Sequence, residues 1–143
     1  MRIVVCVKHV PDMQSERRFE GGRLVRGEDD VLNELDENAI EAAVQLKESE
    51  EDAGREAEVV ALTMGPEDAE DSLMRALQMG ADRAFIVSDE FLEGSDVITT
   101  ASVLSVAIAK IAEECGPVDL VITGMASLDA MTSMLPAALA AKA

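Results

Sequence analysis

Apolar residues fall into two kinds of run along this chain. Four stretches, Arg2–Val7, Glu58–Thr63, Arg83–Ser88 and Val118–Thr123, are nearly continuous rather than alternating, as strands covered on both faces of a parallel sheet are. Between them the apolar positions recur at helical spacing. One stripe begins at Val31 and runs through Leu32, Leu35, Ala39, Ile40, Ala43, Val44 and Leu46. A second holds Leu73, Ala76 and Leu77, and a third holds Ile98, Ala101, Leu104, Ile108 and Ile111. Strand followed by helix, repeated along the chain, predicts an α/β fold: a parallel sheet with helices on both faces and right-handed crossovers.

The punctuation agrees with this layout. Pro11 stops the first strand, and Gly21-Gly22 centres a small hairpin over Phe19–Val25 that lies across the end of the sheet. Lys47–Glu58 is acid-rich and reads as a solvated helix end and linker. Pro66 with Glu67 and Asp68 opens the second helix, Gly80 closes it, and Asp96 caps the third, which ends at Gly116-Pro117. The last residues, Leu139–Ala143, are still in helical pattern. The expectation is one nucleotide-binding domain over 1–143, a fragment of a longer chain truncated before the last strand of its sheet.

A doubly wound sheet with strand order 3-2-1-4 reverses between its first and fourth strands, and ligands sit at the carboxyl ends flanking such a reversal. The crevice is then built from Val7–Asp12 and Gly124–Ser133, roofed by Thr63–Gly65 and the segment near Asn33. Gly124 permits close backbone approach, while Ser127, Thr132 and Ser133 offer hydroxyls. A helix starting near Thr132 would aim N–H groups at an anion. On the local pattern alone this loop is equally a plain strand-to-helix turn, since no glycine-dense fingerprint is present. Asp129 either binds a ribose hydroxyl or caps the helix.

Composition narrows the partners. Across 143 residues, 48% are hydrophobic, with no tract long enough to span a bilayer. The 29 Asp+Glu against 12 Lys+Arg give a net charge of −17, a field that disfavours nucleic acid and anionic membrane and suits a halophilic cytoplasm where salt screens self-repulsion. Cys6 and Cys115 have no metal spacing and form no disulfide framework, as in a reducing, cytoplasmic compartment. His9 is the single histidine, which excludes a multi-histidine metal centre. With no Trp or Tyr and three Phe, little aromatic stacking is on offer.

Taken together, several stretches resemble the β subunit of electron transfer flavoprotein, the FixA-type family. They are Ile3–Asp12, Asn33–Ala42, Met64-Gly65-Pro66, Ala76–Arg83 (Ala-Leu-Gln-Met-Gly-Ala-Asp-Arg), Gly94-Ser95-Asp96, and Val118–Gly124 with Ser127 and Asp129. The similarity covers essentially the whole chain and about the first half of a family member. It implies a three-layer Rossmann-like domain of the adenine nucleotide α-hydrolase type and a heterodimer with an α subunit that holds the redox FAD. It also implies a structural AMP, or in some relatives a second FAD, in this subunit. By matching position the nucleotide site comprises Cys6, Asn33, Glu34, Leu35, Asp36, Met64, Gly124, Met125, Ala126, Ser127, Leu128, Asp129, Thr132 and Ser133. The chain would be an electron carrier subunit rather than an enzyme, and the arm that docks dehydrogenases would lie in the other half. Where many members carry glycines or amides after the Asp, this chain has Ala130-Met131-Thr132-Ser133-Met134. A stand-alone universal-stress-type domain is the alternative; it would show a Gly-rich loop after the fourth strand, and Asp129–Met134 has no glycine.

Overall fold

The computed structural model describes residues 1–142. In chain order its strands and helices are β1 (Arg2–Cys6), β2 (His9–Pro11), β3 (Phe19–Glu20), β4 (Arg23–Leu24), β5 (Asp30–Leu32), α1 (Glu34–Asp52) and β6 (Glu58–Met64). There follow α2 (Glu70–Gln78), entered through a 3-10 turn at Glu67–Ala69, then β7 (Arg83–Val87), α3 (Val97–Cys115), β8 (Leu120–Thr123) and α4 (Leu135–Ala140). Four strands form one parallel sheet in the order β7-β6-β1-β8.

The continuous apolar runs are explained by what covers them. Along β1, Ile3 and Val5 face one core with Ala39, Ile40 and Ala43 of α1 and Leu73 and Ala76 of α2. Val4 and Cys6 face the other, with Ala101, Leu104 and Ile111 of α3 and Leu139 of α4. Both faces of the strand are therefore dry, and each fully buried valine or isoleucine contributes about 2 kcal/mol of transfer free energy. This is the three-layer α/β architecture that the alternation of runs predicts.

The crossover from β1 leads through α1 to β6, and the crossover from β7 leads through α3 to β8 on the opposite face. The sheet thus reverses between β1 and β8, and the crevice lies at their carboxyl ends.

The sequence-based expectation differs from the structure in three local ways. Helix α1 begins at Glu34, not Val31; Val31 and Leu32 belong to β5, which pairs antiparallel with β2. Pro11 accordingly closes a second short strand rather than simply stopping the first. Its missing N–H costs nothing at the end of a two-stranded ribbon. Third, no helix begins near Thr132. Ser127 accepts the N–H groups of Ala130 and Met131, and Met131 and Ser133 take left-handed backbone angles (φ 54° and 53°), so helical geometry starts at Leu135 with Pro136 in its first turn. In addition, Leu46 and Ile98 lie on exposed helix faces, away from the core their spacing suggested.

Candidate functional site

The floor of the crevice is the start of α1. Asn33, fully buried, donates its own N–H to the Lys8 carbonyl at 2.9 Å. Its side chain reaches the other way: Nδ2 donates to the Ala126 carbonyl at 2.9 Å and Oδ1 accepts the Leu128 N–H at 3.0 Å. Through its backbone and its side chain, this one residue ties the end of β1 to the loop after β8. Asp36 performs the same service one turn later, accepting the Lys8 N–H at 2.8 Å and the Gly124 N–H. Gly124 lies so close that a Cβ built on it would sit 2.2 Å from Asp36 Oδ1 and 3.0 Å from the Leu35 carbonyl oxygen. Only glycine fits.

Burial pushes the Asp36 carboxyl up to about 6, although the hydrogen bonds from Lys8, Asn33 and Gly124 and the Lys8 charge pull the other way. The neighbouring Cys6 thiol rises to about 12, first from burial and then from the negative charge of Asp36. It stays a protonated core side chain and is unsuited to thiolate chemistry.

The roof is built from charges. Lys8 Nζ bonds Asp129 Oδ1 at 3.0 Å, lies 2.9 Å from Oδ2, and lies 3.4 Å from Ser127 Oγ. Arg26, at the far side of the β3–β4 hairpin, donates to Asp129 Oδ2, and Arg17 donates to the Leu128 carbonyl at 2.9 Å. Burial disfavours the Asp129 carboxylate, yet the hydrogen bonds from Lys8 and Arg26 outweigh it and hold the group down at about 2. The Asp129 side chain is 0% exposed, whereas Lys8 and Arg26 each retain 40% exposure. Asp129 therefore caps no helix: the residue before α4 is Met134, which makes no side-chain capping bond.

Of the residues singled out in the sequence, Asn33, Asp36, Gly124, Ala126, Ser127, Leu128 and Asp129 come together here, and Leu35 supplies the carbonyl beneath Gly124. Cys6 lies in the core that faces α3, and Met64, half-buried at the end of β6, packs against that core. Glu34 and Met125 are exposed, and Thr132 and Ser133 are exposed beyond the Ser127–Met131 turn. The cations Lys8, Arg17 and Arg26 were not singled out as site residues. The scarcity of basic residues in a chain of net charge −17 was the available signal, since Lys8 follows the first strand directly. His9, in contrast, is buried against Ser72, with Nδ1 2.7 Å from Oγ. Among the described residues no group of His, Cys, Asp and Glu could hold a metal ion, and no helix is long and apolar enough to cross a membrane.

Residues 22–143 match the electron transfer flavoprotein domain family. The chain is 40% identical over 137 residues to Protein FixA of Azorhizobium caulinodans, an alignment covering 94% of this chain and 47% of that protein. It is 40% identical over 141 residues to the electron transfer flavoprotein subunit beta of Mycobacterium tuberculosis (96% and 52% covered). It is 38% identical over 140 residues to that of Megasphaera elsdenii (94% and 50%). The chain spans about half the length of the curated relatives it matches.

Proposed function

This chain belongs to the electron transfer flavoprotein family, and we propose that it is the nucleotide-binding part of a β subunit in a cytoplasmic, heterodimeric electron carrier. In this reading an α subunit holds the FAD that moves electrons from dehydrogenases, and this chain binds AMP, or a second FAD, in the crevice at the ends of β1 and β8. The chain itself performs no catalysis. Its residues for the nucleotide are Cys6, Asn33 to Asp36, Met64, Gly124 to Asp129, Thr132 and Ser133.

The observation that carries the reading is the loop Gly124–Asp129, fastened to the first turn of α1 at the point where the sheet reverses. The donor set fits a nucleotide with an anionic end. Ser127 brings a hydroxyl, Lys8 and Arg26 bring positive charge, and Gly124 leaves no side chain between the loop and α1. No aromatic ring belongs to this cluster, so a base would rest on aliphatic and backbone surface. A nucleotide bound there adds stability by mass action, which suffices as a purpose for a structural ligand. The acid excess suits a salt-rich cytoplasm, where screening relieves self-repulsion.

The test is to purify the native complex, denature it and quantify released nucleotides. One AMP and one FAD per complex is the expected result. Two FAD would mark a carrier with flavin in both subunits. Neither nucleotide, from a chain stable without a partner, would replace this reading with a stand-alone universal-stress-type domain.

A further inference from the structure

We propose that Lys8 and Arg26 form a two-cation seat for the phosphate of the bound nucleotide, with Asp129 behind them as the residue that positions both. The inference rests on the reading above that the crevice holds an adenine nucleotide.

In a chain of net charge −17, three cationic side chains from distant segments converge on one short loop. Lys8 follows β1, and Arg17 and Arg26 flank the β3–β4 hairpin; all three bond residues Ser127 to Asp129. Lys8, Arg17 and Arg26 carry three positive charges against the two carboxyls that face them, Asp129 and Asp36, so one positive charge is left over at the loop. The layering is also directional. The Asp129 side chain is wholly enclosed while the side chains of the two cations in contact with it keep 40% of their surface in water. An ammonium has three N–H donors and a guanidinium five; Lys8 directs its own at Asp129 and Ser127, whereas Arg26 meets Asp129 through Nη2 alone and keeps most of its donors. A phosphate arriving from solvent meets the remaining donors without displacing Asp129, and such charge-assisted bonds are the strong ones.

Toward the phosphate, Asp129 is then a positioning residue: it fixes the two cations at one spacing. The bond from Arg17 to the Leu128 carbonyl holds the hairpin down so that Arg26 reaches the loop. The arrangement distinguishes a nucleoside monophosphate from the corresponding nucleoside, and the hairpin becomes part of the binding site.

Calorimetric titration of the native complex, stripped of nucleotide by dialysis and held at fixed salt, tests this with AMP and adenosine as probes. Arg26→Gln is expected to weaken AMP about tenfold and leave adenosine unchanged. Asp129→Asn is expected to reduce the ratio of AMP to adenosine affinity in the same direction. Arg18→Gln, a hairpin position whose guanidinium pairs with Glu28, serves as the control and is expected to change neither. The seat is overturned if Arg26→Gln leaves AMP unaffected, if AMP and adenosine weaken together, or if the wild type binds both equally well. In that last case the nucleotide reading survives. A wild type that takes up neither probe overturns the nucleotide reading, and the seat with it.

Discussion

Beneath Gly124 the crevice is fastened by hydrogen bonds inside the protein: buried Asn33 and Asp36 hold the backbone of Lys8, Gly124, Ala126 and Leu128. Above it the loop is tied to the hairpin by Arg17 and Arg26 and to the end of β1 by Lys8, and these cations stay in contact with water. The floor uses buried hydrogen bonds, from the Asn33 amide and to the Asp36 carboxyl, whose loss leaves buried groups unpaired, which is expensive. The roof uses exposed cations whose loss is cheap for the fold. The difference assigns the two regions different work: the floor sets the shape of the site, and the roof supplies its charge.

The strongest way to break the floor is Gly124→Ala. A Cβ 2.2 Å from the Asp36 carboxylate has only backbone and a buried side chain to push against, and a loss of about 3 kcal/mol is expected as a lower urea midpoint. Next is the pH profile. Asp36 titrates at about 6 in the folded chain and near 4 when unfolded, so between these values the native state binds more protons and stability falls as pH rises, by about 2–3 kcal/mol over the window. Chemical denaturation of Asp36→Asn is expected to show that slope flattened. A slope identical to wild type would remove Asp36 from the account.

Asn33→Ala follows, at about 2 kcal/mol, because the Ala126 carbonyl and Leu128 N–H lose their partner together. The roof gives the smallest effects. Arg26→Gln is expected to change stability by under about 0.5 kcal/mol, measured by thermal melting at fixed salt. Asp129 sharpens the contrast with Asp36 because its carboxyl is held down at about 2. Its contribution is present above about pH 4 and is lost as pH falls toward 2, the opposite tilt.

The same division decides what the sequence could reveal. The four sheet strands are runs such as Ile3-Val4-Val5-Cys6 and Val59-Val60-Ala61-Leu62, apolar because both faces are covered, and a run of that kind is visible without the fold. The Gly21-Gly22 hairpin and the Asp96 cap, whose Oδ1 accepts the Thr99 N–H at 2.7 Å, are likewise local chemistry. The β2–β5 ribbon was not legible, since a pairing of three residues has no period to detect. Nor was the late start of α4, because Met131 and Ser133 adopt left-handed angles that side chains other than Gly rarely signal. The floor was half legible: Asn33 and Gly124 stand beside strand ends, whereas Asp36, inside the first turn of α1, was reached only through the family resemblance. Of the roof, Ser127 and Asp129 were picked out but their cationic partners were not: Arg26 and Asp129 are separated by 103 positions, and a charge in a polar hairpin reads as solvated until the fold brings its partner to it.

The central claim is that a nucleotide occupies the crevice between this floor and roof. Hydrogen exchange on the native complex, with nucleotide removed and then restored, tests it most directly. Restoring the nucleotide is expected to slow exchange at Met125–Met131 and in the hairpin around Arg26, while β1 and β6 stay unchanged. No change in that loop, or protection confined to the opposite, amino ends of the strands around Met1, Arg55 and Asp119, would contradict it.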